Sequence, residues 1–227
     1  MLSDSTVEDI LFEVIEEQAE ALLFSYQQFA GSRDFPVPIE SIAEHFLGYD
    51  LEITNEGLFA NPEFLGGISF EEKVIYVNTS VQEHEGRYMF TVAHEIGHHV
   101  LHRELYDQHI QDRTQILCRE EKQKPLIERQ ADRFAAALLM PRGIIQESKA
   151  LKSSARPKTL SGAMTFANGL QDECGFTNVS LSALVNRLKD LDLIADSIPY
   201  QTGVRWRGRY RSKFQGIYRF LRRLLRY

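Results

Sequence analysis

Nine consecutive residues, Thr91-Val92-Ala93-His94-Glu95-Ile96-Gly97-His98-His99, constrain this chain more than any other feature in it. They contain His94-Glu95-x-x-His98. On an α-helix, residues four apart share a face and lie about 6 Å apart along the axis. Two imidazoles so placed can converge on one zinc ion at about 2.0–2.1 Å. Glu95 projects from the neighbouring side of the same turn, where it can reach a water activated by the metal without ligating the metal itself. The rival interpretation is a surface helix with ordinary solvated His and Glu. The neighbours argue against it. Met89, Phe90, Val92, Ala93, Ile96, Val100 and Leu101 are apolar, and polar groups embedded in such a helix need a polar partner.

A catalytic zinc wants three protein ligands and one open position. A third histidine six residues beyond His98 is absent, because Glu104 stands there. His102 lies eight residues past His94, about 12 Å along a straight helix, too far to share the ion. His99 points about 100° away from His98. The remaining route is a carboxylate from a second helix, and Glu128-Arg129-Gln130-Ala131-Asp132 supplies one. Glu128 and Asp132 are four apart and face the same way. Ala131, like Gly97 on the first helix, is small enough for the two helices to approach closely. Glu128 can then ligate zinc, while Asp132 accepts a hydrogen bond from the far nitrogen of a ligand histidine and sets its tautomer.

The rest of the chain reads as helix-rich α+β. Helical spacing runs over residues 5–30, and a short helix over Ile39 to Phe46 stops at Gly48. Leu51–Thr54, Gly67–Phe70 and Lys73–Val77 alternate like strands, with Glu71-Glu72 as a tight turn, and predict a small antiparallel sheet. Helix returns from Glu83 to about Glu104. Residues 107–124 are polar and irregular, and Pro125 closes them off. Leu126 to Met140 is a strong helix ended by Pro141 and Gly143. Two more helices, over 159–171 and 180–191, flank the turn Gly175-Phe176-Thr177-Asn178, with Ser180 as N-cap.

Arg87 to His102, followed by Glu128 to Pro141, resembles the ImmA/IrrE family of metallopeptidases, and Pro36-Val37-Pro38-Ile39-Glu40-Ser41-Ile42-Ala43 is similar to the first helix of that family. The resemblance covers about residues 35–195. It implies a zincin-like peptidase domain over residues 1–150 and a helix-turn-helix-like segment over 151–200. The implied ligands are His94, His98 and Glu128, with Glu95 as general base. The implied activity is zinc-dependent cleavage of a helix-turn-helix transcriptional repressor, which releases a stress-response or mobile-element programme. Manganese or iron remain open, since ligand type biases affinity more than it fixes identity. The rival function is a metal-stabilised binding module that sequesters a regulator uncut. It keeps the ligands and has no need of Glu95. Within the helix-turn-helix-like segment, Arg187 and Lys189 are offset by Asp190, so packing or substrate docking is favoured over DNA reading. Tyr88, His99 and Arg129 are candidates for oxyanion stabilisation among which spacing does not choose.

Charge separates the last stretch from the rest. The net charge is −6, yet residues 201–227 hold eight Arg, one Lys and no acid. The first 200 residues therefore carry 17 of the 26 basic side chains against all 32 acidic ones, a balance of −15. An acidic body is a poor nucleic-acid binder. In the tail, Phe214, Ile217, Tyr218, Leu221, Leu224 and Leu225 recur at helical spacing among arginines, a basic amphipathic pattern that suits docking on the acidic body, an anionic membrane or nucleic acid. The longest apolar run, Phe134 to Met140, is far short of the roughly 18 residues a membrane span needs. Asp4, Glu8 and Asp9 replace the basic start of a secretory signal, and two cysteines make no disulfide framework. A cytoplasmic protein is the expectation.

Overall fold

A computed structural model describes residues 4–111, 126–153 and 155–201. Of the stretch predicted as an irregular loop, residues 107–111 continue the helix that begins at Glu85, while residues 112–125, with Cys118, and the basic tail beyond Gln201 lie outside the described residues. So does Ser154, near the start of the helix-turn-helix-like segment predicted over 151–200.

The chain opens with α1 (Asp4–Ala30), followed by α2 (Ile39–Ser41), which runs on as a π-helical turn, Ile42–Phe46. Then come β1 (Asp50–Thr54), a 3-10 turn at Gly57–Ala60, β2 (Gly66–Ser69) and β3 (Val74–Asn78). The short α3 (Thr79–Gln82) leads into the long α4 (Glu85–Gln111). The rest is helical: α5 (Leu126–Leu139), α6 (Arg142–Glu147), α7 (Lys149–Ser153), α8 (Leu160–Cys174) and α9 (Leu181–Asp190). No described helix is long and apolar enough to cross a membrane.

The sheet is mixed, not antiparallel throughout. Its order is β1-β3-β2. β2 and β3 form the expected antiparallel hairpin, with Gly66 opposite Val77 and Ser69 opposite Val74. β1 pairs with β3 in parallel, from Asp50 opposite Val74 to Thr54 opposite Asn78. Residues 55–65 carry the chain across from one flank of β3 to the other, so β1 and β3 end up running the same way. Alternation of side chains reports which face a residue takes, not the direction of the neighbouring strand. Lys73 closes the hairpin with φ +58°, a left-handed conformation that starts the strand one residue later than its side-chain pattern suggests. Its ammonium lies 4.4 Å from the centre of the Tyr49 ring.

Ile75 and Val77 of β3 are fully buried, and so are Val92, Ala93 and Ile96 of α4. α4 touches both the sheet and α5, and α5 touches α1. On α1 the buried stripe is Ile15, Ala19, Leu23 and Tyr26 at a spacing of three or four, while Val14, Phe24 and Phe29 face outward. The same core continues through Phe166, Leu170 and Phe176 to Leu184 and Leu188 on α9. Ser180 caps α9 as its position predicts, accepting from the Ala183 amide at 3.1 Å. Arg187 packs inward against the first domain, one of the two uses favoured over DNA reading. It is 1% exposed and forms a two-pronged pair with Glu16 of α1, Nη2 to Oε2 at 2.7 Å, while Nε donates to the Met140 carbonyl at 3.1 Å. Lys189 is also engaged, donating to the carbonyls of Asp196 and Ile198 at 2.7 Å each.

Candidate metal centre

The site is built where α4 and α5 come closest. A Cβ added to Gly97 would sit 3.2 Å from the Cα and the carbonyl oxygen of Ala131 and 3.2 Å from Phe134 Cδ1. A side chain here is tighter than ordinary contact and would push the neighbouring backbone away by a few tenths of an ångström. Gly97 lies between the two histidines of α4, and Ala131 lies between the two acids of α5, so this contact sets the distance from histidine to carboxylate.

Three donor side chains meet there. His94 Nε2 lies 3.0 Å from His98 Nε2. Glu128 closes the triangle, Oε2 at 3.4 Å from His94 Nε2 and Oε1 at 3.4 Å from His98 Nε2. Among the described residues these three form a group of ligand atoms lying within 4.8 Å of one another. All three residues are buried, His94 and Glu128 to 2% exposure. Four ligands at 2.0–2.1 Å around a tetrahedral ion lie about 3.3 Å apart, so the observed edges suit such an ion.

Hydrogen bonding supports the same fit. An ionised carboxylate only accepts, so Asp132 Oδ1, 2.8 Å from His94 Nδ1, takes the proton of that nitrogen. The His94 Nε2 lone pair then faces the Nε2 of His98 and the carboxylate of Glu128. Glu128 Oε2 has no hydrogen-bond partner among the described residues, although it is buried. A positive charge is required between such groups. Without a metal, a proton serves. Burial opposes charging His94, but Asp132 and then Glu128 outweigh it and push its pKa up to about 9. Burial likewise works against ionising Glu128, yet the two histidines hold its carboxyl far below the usual carboxylate range. The donor set therefore fits a divalent ion, with His94, His98 and Glu128 to hold it.

Glu95 is 2% exposed and lies under β2. A Cβ on Gly66 would fall 2.5 Å from Thr91 Cγ2 and 2.8 Å from Glu95 Oε1. The strand passes directly over the carboxylate, and any side chain at residue 66 would have to displace Thr91 or Glu95. Gly66 falls just ahead of the strand predicted over Gly67–Phe70; in the structure it opens β2, where a glycine permits close backbone approach. Gln130 is not among the site residues the sequence predicts, and His102 figures there only as a ligand excluded by distance. His102 is no neighbour of His94, as the helix rise requires, but its Nδ1 lies 3.0 Å from His98 Nδ1, and its Nε2 lies 3.0 Å from Gln130 Oε1. The signal was the repeated spacing of four from His94 through His98 to His102. Burial first, and then the charge of His98, lower the His102 pKa to about 4 and keep it neutral.

Two of the oxyanion candidates are occupied elsewhere. His99 Nδ1 is hydrogen-bonded to the Tyr49 hydroxyl at 2.9 Å, and burial, Lys73 and Arg103 lower its pKa to about 4. The Tyr88 phenol is pushed up by burial and by its hydrogen bond to Glu40. Arg129 follows Glu128 on α5 and is half-buried.

No curated protein matches the chain. A family model does: residues 31–160 match Peptidase_M78, described as the IrrE N-terminal-like domain. The matched stretch contains every donor of the site and more than half of the chain, together with the small sheet and both site helices. The chain belongs to this peptidase family, the ImmA/IrrE group.

Proposed function

We propose that this chain is a zinc-dependent endopeptidase acting on a helix-turn-helix repressor. The observation that carries the reading is the buried triangle of His94, His98 and Glu128, with edges of 3.0, 3.4 and 3.4 Å, beside a buried carboxylate, Glu95, that is not one of its corners. Two imidazoles and one carboxylate suit zinc; manganese and iron share part of that donor preference. When bound, the metal supplies Lewis-acid polarisation of the scissile carbonyl and lowers the pKa of water toward neutrality.

The chain's own residues do the rest. Glu95 accepts the proton of the attacking water and delivers it to the leaving amine. Asp132 holds the His94 ring with its Nε2 lone pair turned inward. Gly66 brings β2 down over Glu95, shielding the carboxylate from bulk solvent.

The substrate class rests on membership of the family and on charge. A body of −15 suits a partner with a basic DNA-binding face, which long-range attraction steers toward it. Cutting such a repressor ends its hold on a stress-response or mobile-element programme.

The decisive variant is Glu95→Gln. It keeps the size and the three donors, so metal content should stay at about one ion per chain while cleavage of the co-expressed neighbouring regulator disappears. Derepression of the target genes by Glu95→Gln at the wild-type level would mean sequestration without cutting. An immunoblot that shows only intact regulator with the wild-type protein, under every stress tried, would sink the assigned substrate.

A further inference from the structure

Each metal-facing histidine must present a lone pair at Nε2, and so must carry its proton at Nδ1. For His94 that proton goes to a carboxylate, Asp132, at 2.8 Å. For His98 no acid stands at the corresponding place among the described residues. Its Nδ1 faces another imidazole nitrogen, His102 Nδ1, at 3.0 Å, and His102 in turn meets Gln130 Oε1 at 3.0 Å. His98 and His102 are both buried, to 6% and 7% exposure.

Only one arrangement of protons satisfies every contact once His98 Nε2 is to bind a metal. His98 Nδ1–H donates to His102 Nδ1. His102 must then be neutral at Nδ1 and carry its proton at Nε2. That Nε2–H donates to the amide oxygen of Gln130, which has a lone pair to accept it. Reversing any link breaks the next one. A proton on His102 Nδ1 would point at the proton of His98, and a Gln130 amide nitrogen toward His102 would set two donors face to face.

We propose that His102 and Gln130 are positioning residues that fix the tautomer and ring orientation of His98, the second metal ligand, through a neutral imidazole–amide relay. This rests on the metal-site reading above and deepens it. The two ligand histidines are thereby held differently. A charged acceptor holds His94 and raises its basicity, whereas a neutral chain orients His98 without adding a second negative charge beside Glu128 and Asp132. α5 contributes all three kinds of support from one turn and a half: Glu128 as donor to the ion, Asp132 on His94, and Gln130 behind His102.

The test measures metal binding by the full-length apo protein, with zinc affinity read by chelator competition and site geometry by the visible absorption of the cobalt(II) form. His102→Leu removes the acceptor at similar volume and should weaken zinc binding by about 10–100-fold, the usual range for loss of such a partner, and alter the cobalt spectrum. His102→Asn places an amide oxygen where Nδ1 stood and should recover affinity to within about threefold, given that this hydrogen bond is what matters. Gln130→Leu should fall between the two. Apo melting temperatures show whether a variant has simply lost its packing. Equal weakening by Leu and Asn at position 102 would mean that the residue only fills space. Wild-type affinity in His102→Leu would overturn the relay while leaving the metal site intact. A wild-type chain that takes up neither zinc nor cobalt would overturn the site reading and the relay with it.

Discussion

Gly97→Ala tests whether the separation of α4 and α5 sets the ligand triangle. The new Cβ would meet Ala131 Cα and O, and Phe134 Cδ1, all at 3.2 Å, where ordinary carbon contacts lie at about 3.5–4.0 Å. Two of these atoms are backbone, so no rotamer change relieves them. α5 must move away by a few tenths of an ångström, and Glu128 moves with it. A shift of about 0.3 Å would open the edges from Glu128 beyond their present 3.4 Å, a large part of the roughly 0.5 Å tolerance of a preorganised site.

Stability should respond less. Overpacking a well-filled contact costs about 1–3 kcal/mol, but replacing glycine inside a helix returns about 1 kcal/mol. The net lies between no change and a loss of about 2 kcal/mol, or a fall of up to about 8 °C in melting temperature for a chain of this size. We expect zinc affinity, measured by chelator competition, to fall about tenfold, consistent with disturbed ligand support. Peptidase activity should fall with it, and Gly97→Val should be worse on every measure. Ala131→Gly should not rescue the alanine variant, because the atoms in the way are backbone. A Gly97→Ala protein that binds zinc like wild type and melts within a degree of it would refute the reasoning.

Breaking the buried pair of Arg187 and Glu16, each 1% exposed, should cost about 3–5 kcal/mol in Glu16→Gln or Arg187→Met by denaturant unfolding. The double variant Glu16→Leu with Arg187→Met should recover most of that, and single costs below about 1 kcal/mol would show that the pair contributes little. His99 takes up its proton in the fold only near pH 4, against 6.5 when unperturbed. The unfolded chain therefore binds that proton first as the medium acidifies. Stability from this residue is complete above pH 6.5 and is lost toward pH 4, so His99→Gln should flatten the pH dependence of melting across that window; an unchanged slope would exclude His99 as its source. Burial raises the Cys174 thiol from 9.0 to about 11, which leaves about a hundredfold less thiolate at pH 8. In a Cys118→Ser background, native protein should alkylate about that much more slowly than unfolded protein, and equal rates would show that Cys174 is accessible.

Much of this site was legible in the chain because its chemistry is locally periodic. Spacing of four put His94 with His98 and Glu128 with Asp132, and the small residues Gly97 and Ala131 marked where the two helices could meet. The fourth histidine of the stretch was harder. His102 failed as a ligand on distance, and its true neighbour in function, His98, was already assigned. Gly66 lies one residue ahead of the strand that alternation predicts, and nothing local reports what lies beneath it. The helix of Arg187 and Lys189 illustrates the opposite case. By composition those side chains were free to meet a partner, yet both are used internally, one in a buried pair and one on two carbonyls.

The sequence by itself determined what each segment could be: helix or strand, capped at Ser180, apolar on one face, with donors grouped at helical intervals. Those properties depend on neighbours within a turn or two, and the order of residues contains them. What lies opposite each face was decided only by the tertiary structure. The parallel pairing of β1 with β3 depends on the path of residues 55–65, which alternation does not describe. The Arg187 pair joins residues 171 positions apart. The proton direction along His98, His102 and Gln130 exists only once α5 is packed on α4. A hydrogen bond needs its partner within about 3 Å, and folding, not adjacency in the chain, brings these partners together.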